Sequence, residues 1–122
     1  MATNKKAAIE FLRLAASPRA REAFAFVGPG FRHHNPHFPG DAEPLFAAME
    51  ENARQNPAKH LEIHRAVEEG DLVAVHSYVK HGADDRGFAL VHIFRFEAGR
   101  IVELWDLAQE VPSESANVHG MF

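Results

Sequence analysis

The stretch from Val91 to Asp106, VHIFRFEAGRIVELWD, constrains the fold of this chain more than any other. A β-branched and aromatic run leads into Ala98-Gly99, and a second such run ends in Trp105-Asp106. Val, Ile, Phe and Trp suit a pleated, half-buried surface, and Gly99 supplies the positive φ of a short turn. The segment therefore reads as a long β-hairpin. His92 and Asp106 have no packing reason to stand in apolar strands. A buried polar group needs a partner or it destabilises the fold, so the two suggest a polar site set in an apolar sheet. Two registers are open. A two-residue Ala98-Gly99 turn with regular strands puts His92 opposite Trp105 and Asp106 on the other face, with Val102 and Leu104. A β-bulge between them would bring His92 and Asp106 into one pocket.

The rest of the chain supplies the partners of that hairpin. Thr3 caps a helix running to Ala16, with Ala8, Phe11, Leu12 and Ala15 at helical spacing. Ser17-Pro18 opens a short second helix to about Val27, which Gly28-Pro29-Gly30 ends. Phe31 to Gly40, FRHHNPHFPG, reads as an extended loop. Asp41 caps a third helix over 42–55, with Leu45, Phe46, Met49 and Ala53 on its apolar side. After Pro57 the period falls to two: Leu61, Ile63 and Val67 alternate with polar residues, Gly70-Asp71 turns, and LVAVHSYVK follows. His81 to Gly87 is a polar loop, and PSESANVHGMF forms a polar tail. Three helices followed by four long antiparallel strands predict an α+β fold with helices on one face of a sheet.

A chain of 122 residues suits one domain over 1–122. Its hydrophobic content of 46% and charged content of 25% are those of an ordinary globular protein. The net charge of −4 offers no footprint for nucleic acid. The absence of cysteine excludes disulfides, thiolate nucleophiles and cysteine-based zinc sites. Nothing resembles a signal peptide or a membrane span, which points to the cytoplasm. Nine histidines are the oddity of the composition.

The candidate site residues each have a plainer reading. His34-Asn35-Pro36 is either a functional loop or a solvent-facing turn. If the Gly70-Asp71 turn spans two or four residues, Arg65, His76 and Tyr78 share the face of Leu61, Ile63, Val67, Leu72 and Ala74. That face reads as the one turned toward the helices, so all three would point inward. His92 shares a face with Phe94 and Phe96, as a tied core histidine or a pocket residue. Asp106 beside the Trp105 indole is a desolvated acid–base group or an inert strand-end carboxylate. His33, His34 and His37, with His76 or Asp106, have the donor types for zinc or iron, but no recognisable ligand spacing, so no metal is expected. Val73, Val75 and Val79 would form an apolar outward face and suggest a homodimer.

HNP after two helices, EEGDLVAVH, IFRFEAGRIVELWD, then Val-Pro and a tail ending GMF resemble the SnoaL-like polyketide cyclase group of the nuclear transport factor 2-like superfamily. The resemblance spans nearly the whole chain. It implies a cone-shaped, cystatin-like α+β barrel whose curved sheet wraps helices around an apolar pocket. It also implies aldol-type cyclisation, isomerisation or dehydration of a small apolar carbonyl compound, with neither metal nor organic cofactor. Asp106 matches the acid–base carboxylate of that group. The position of His92 is often Asp there, and that of Leu104 often His. On this reading Asp106 or His92 removes a proton α to a carbonyl, and His34, Asn35 or His76 stabilises the enolate. Arg65, Tyr78, Phe94 and Trp105 would hold the substrate. Two other readings stay open: a non-catalytic module for a small hydrophobic ligand, and a structural or dimerisation domain.

Overall fold

The computed structural model describes residues 3–122. Its first helix, α1, is Asn4–Ala15, and the Thr3 side chain accepts the Lys6 N–H at its start. A 3-10 helix, Ala20–Phe26, follows. The third, α2, is Ala42–Gln55. Asp41 occupies its N-cap position, though its side chain makes no capping hydrogen bond. The strands are β1 (Val27–His33), β2 (His60–Glu69), β3 (Leu72–Lys80), β4 (Phe88–Glu97) and β5 (Arg100–Glu110). They form one curled sheet in the order β1-β5-β4-β3-β2, antiparallel except for β1 with β5. The α+β cone expected from the sequence is the architecture observed.

β1 corrects the sequence reading, which ends the second helix at Gly28-Pro29-Gly30 and begins a loop at Phe31. Those residues instead form a fifth, parallel edge strand, interrupted between Val27 and Arg32. An edge position tolerates Pro29, whose missing N–H would cost a ladder bond in a central strand. Gly28 is needed for a different reason. A Cβ there would come within 2.9 Å of Arg100 Cβ and 3.3 Å of Val102 Cγ1.

The core lies between the helices and the inner face of the sheet. Phe11 of α1 meets Phe46 of α2 and Phe94 of β4 edge-on, with ring centroids 5.9 and 5.6 Å apart. Edge-to-face contact puts the positive rim of one ring on the negative face of the next. Ala8, Leu12, Leu45, Val73, Val75, Ile101 and Leu104 complete this layer.

The facing of β3 is the reverse of the sequence expectation. Val73, Val75 and Ser77 are wholly buried against the helices, and Val79 nearly so. His76, Tyr78 and Ala74 therefore lie on the outer face. Gly70-Asp71 is the expected two-residue turn, since Glu69 pairs with Leu72. The phase changes farther along, where His64 is an extra residue in β2: Ile63 pairs with Ser77 but Arg65 pairs with His76. This bulge sends Leu61 and Ile63 inward and Arg65 and Val67 outward. The three valines predicted as a dimer surface are core residues. The outer face is crossed by the tail, where the Phe122 ring stacks on His64 and His76 at 4.7 and 5.5 Å.

Candidate active site

The hairpin of β4 and β5 turns at Ala98-Gly99 as expected, with φ of 50° and 79°. Two successive positive φ values define the turn type whose twist matches that of the strands it joins. Glu97 pairs with Arg100 and Phe96 with Ile101, but Arg95 pairs with Glu103. Val102 is thus an extra residue in β5. Beyond it every residue of β5 has changed face, and His92 pairs with Asp106. Of the two registers the sequence leaves open, the bulged one is found.

The loop after β1 then fixes Asp106. Asn35 Nδ2 donates to Asp106 Oδ2 at 3.0 Å, and Asn35 Oδ1 accepts the His37 N–H at 2.9 Å. An amide oxygen that takes an N–H leaves its nitrogen to face the carboxylate, which settles the orientation of Asn35. His33 holds the same loop. Its Nε2 lies 2.7 Å from the Pro39 carbonyl oxygen, which can only accept, so Nε2 carries the proton. Its Nδ1 is then free to accept the Asn35 N–H at 3.2 Å. Among the described residues Asp106 Oδ1 has no hydrogen-bond partner, leaving one carboxylate oxygen open to the cavity.

His92 is the second polar group of this inner face. Its Nδ1 is buried and has no partner among the described residues. Desolvation pushes the His92 pKa down to about 4, and the negative charge of Asp106 opposes this only in part. The imidazole is therefore neutral at neutral pH, beside an acceptor-only carboxylate.

Two cavities that share Met49 and Lys59 open here. One, of about 130 Å³, is walled by Phe11, Leu12, Leu61 and Leu90 and reaches His92. The other, of about 280 Å³, is bounded by Asn35, Phe38, Leu45, Asn52, His81 and Asp106. Each is smaller than a typical small-molecule site, which spans about 300–1,000 Å³. Lys59, just before β2, donates to Asn52 Oδ1 at 2.6 Å. Burial lowers its pKa from the ordinary 10.5.

Of the residues singled out from the sequence, Asp106 and Asn35 line the larger of these cavities and His92 the smaller. Phe94 is wholly buried in the core beneath them, 6.1 Å from the His92 ring. Five others lie elsewhere. The bulge that turns Asp106 inward turns Trp105 outward, so the indole does not cover the carboxylate; it stacks on His34 at 5.1 Å. His34 Nε2 donates to Glu103 Oε2 at 2.6 Å, in a cluster with Arg32 and Arg95. These donors hold the Glu103 pKa down to about 2, Arg32 most of all. His76 and Arg65 bond to each other on the outer face, and the Tyr78 hydroxyl donates to the Arg86 carbonyl there. Among the described residues no three His, Asp or Glu side chains converge as a metal set, and His33, His34 and His76 are engaged as above.

Lys59, His81, Asn52 and Met49 were not apparent as site residues from the sequence. An isolated lysine before a strand, like an asparagine on a helix, carries no pattern that separates a cavity residue from a solvated one.

Comparison with known proteins agrees with this geometry. The model of the SnoaL-like domain matches residues 8–104. An NTF2-like protein of unknown function from Cytophaga hutchinsonii superposes with a TM-score of 0.73 at 18% identity, covering 89% of this chain and 92% of that one. An uncharacterized cystatin fold protein from Novosphingobium aromaticivorans does so with a TM-score of 0.73 at 17% identity, covering 88% and 99%. A "putative polyketide cyclase" from Bacillus cereus gives 0.71 at 24% identity, over 84% and 72% of the two chains. At these identities the likeness is one of fold. No curated protein matches the sequence.

Proposed function

The chain belongs to the SnoaL-like domain family, and from that premise we propose that it is a small-molecule enzyme that moves a proton on an apolar carbonyl compound. The observation that carries this reading is the pairing of Asp106 with His92 across β4 and β5, Asp106 on the wall of one small cavity and His92 on the wall of the apolar one beside it, with Asn35 fixing one oxygen of Asp106.

The proposed step needs neither metal nor organic cofactor. The free Asp106 oxygen takes a proton from the carbon α to the carbonyl. The C–H bond breaks, an O–H bond forms on the carboxyl, and the electron pair moves to the carbonyl oxygen as an enolate. Asn35 has a second amide N–H for that oxygen, and the neutral His92 ring stands on the wall of the adjoining cavity. His34 and His76, expected from the sequence to help here, are too far round the sheet. An intramolecular aldol closure, an isomerisation or a dehydration can each follow from the same enolate. Phe11, Leu61 and Leu90 wall the adjoining cavity and offer an apolar surface for the body of the substrate. Trp105, Tyr78 and Arg65, on the outer face, take no part in holding the substrate.

Asp106→Asn tests the reading, because it keeps shape and removes basicity. General acid–base catalysis typically contributes ~10²–10⁴-fold, and turnover of any substrate found by screening apolar ketones should fall by that factor with binding nearly unchanged. Unchanged turnover would remove Asp106 from the mechanism. Ligands that bind wild type without any turnover would identify a non-catalytic binding module instead.

A further inference from the structure

Lys59 is the one lysine or arginine on the wall of either cavity, and it lines both. Its ammonium is half-buried, and among the described residues no carboxylate lies within ion-pair distance of it. It has three N–H bonds to place, and among the described residues the only acceptor it meets is the Asn52 amide oxygen. A cation partly withdrawn from water is stabilised by a negative partner. Asp106, on the wall of the same cavity, does not provide it: Asp106 is tied to Asn35 and forms no ion pair with Lys59. Burial with no compensating charge is also what lowers the Lys59 pKa.

We infer that Lys59 anchors a carboxylate-binding subsite, so that the molecule taken by the cavity is an apolar acid. Its carboxylate rests on Lys59 while its reactive carbon faces Asp106. The inference rests on the reading of this cavity as the acid–base site, and it narrows the substrate class from apolar carbonyl compounds to apolar oxo-acids. The geometry gives a reason for the narrowing. Apolar side chains of α1, α2 and the inner sheet wall one cavity, the base stands on the wall of the adjoining one at the β4–β5 end, and the cation at the start of β2 lines both. A ligand with one charged end and an apolar body then has a single way round. Asn52 holds Lys59 from α2 and leaves its other two N–H bonds for the ligand.

The test uses a pair of probes equal in shape, 2-naphthoate and 2-naphthamide, titrated by calorimetry into the full chain at pH 7. The Met49 methyl resonance reports whether each probe enters the cavity. A charge-assisted hydrogen bond should make wild type bind the naphthoate at least about tenfold more tightly than the amide. Lys59→Met should abolish that preference by weakening the naphthoate alone, and Lys59→Arg should keep part of it. The amide is the internal control for folding, since its affinity reads the apolar walls. Equal affinities in wild type, or a naphthoate preference that survives Lys59→Met, would overturn the carboxylate subsite and leave the Asp106 reading standing. If neither probe shifts Met49 at millimolar concentration, the subsite and the apolar-cavity reading fall together.

Discussion

His92 and Asp106 face each other across β4 and β5 because Val102 adds one residue to β5 between the turn and the site. Side chains alternate with a period of two, so one extra residue exchanges the faces of everything beyond it. Without the bulge Trp105 would stand in the cavity and Asp106 would point to the outer face. With it, Asp106 enters and Asn35 can reach it from the loop after β1. Placement of the carboxylate thus depends on two separate devices, a bulge and an amide.

The amide can be removed alone. Asn35→Ala deletes the bond to Asp106 Oδ2 and the acceptor of the His37 N–H. Asp106 then keeps its charge but loses its fixed orientation, and small misplacements of a catalytic group can cost ~10²-fold. The expected result is a fall in turnover of up to about that factor, smaller than for Asp106→Asn and rising again in Asn35→Gln if the longer amide still reaches. Steady-state kinetics of the three variants would check the order. An Asn35→Ala protein with full turnover would mean that Asp106 is held by its strand alone.

The depressed pKa of His92 makes a prediction about stability. Its folded value lies near 4, against an ordinary 6.5. Between those values the unfolded chain binds a proton that the folded chain does not, so folding loses stability as pH falls from about 6.5 to about 4. The loss levels off below that and is on the order of 3 kcal/mol. Above pH 6.5 this contribution is fully present. Urea unfolding at a series of pH values should show the slope in wild type and a flatter one in His92→Gln. Parallel slopes in the two proteins would assign the pH dependence to other groups.

Residues whose neighbours determine their structure were legible in the sequence. The spacing of Leu45, Phe46, Met49 and Ala53 locates α2, and Ala98-Gly99 and Gly70-Asp71 locate both tight turns, because these signals are local. The HNP loop and the Trp-Asp end of the hairpin contain two of the three polar residues that meet at the cavity. What escaped depends on pairing between distant strands. β1 looks like a breaker because Gly28-Pro29-Gly30 is one in isolation; only β5 makes it a strand. The bulges at His64 and Val102 carry no composition of their own. The first joined Arg65 to the apolar phase of Leu61 and Ile63, and so drew Leu72, Ala74, His76 and Tyr78 to the wrong face. The contrary signal was present: Val73, Val75 and Val79 are more apolar than the residues between them. Lys59 was illegible, because its burial is decided by α2 and the sheet together.

The hairpin turn carries a removable strain. Ala98 adopts φ 50°, where its Cβ crowds the backbone. Asn tolerates this conformation better, and Asn-Gly is the preferred pair for a turn of this type. Ala98→Asn should therefore stabilise the fold by roughly 0.5–1 kcal/mol without touching the cavity. Thermal unfolding would show a midpoint a few degrees higher, with the naphthamide affinity unchanged. A lower midpoint would show that Ala98 packs favourably in a way its exposure does not suggest.

The outer face of the sheet leads to the last expectation, a homodimer. The valines that suggested one are buried in the core, but other apolar side chains stand out on the outer face: Val67, Leu72 and Leu107 are 65%, 41% and 66% exposed. Val91 lies beside Leu107 in the sheet, and Pro112 and Met121 of the tail line the same groove. Val91, Leu107, Pro112 and Met121 form one apolar patch, and such a patch marks an interaction site more often than isolated residues do. A two-fold pairing of the face with itself would cover Leu107 of each copy near the same axis. Sedimentation at micromolar concentration should give a dimer for wild type. Leu107→Glu places a charge where the two copies would meet and should shift the mass to that of one chain, with circular dichroism unchanged. A wild-type protein that sediments as a monomer would leave the face to the tail alone, with Phe122 on His64 and His76 as its permanent cover.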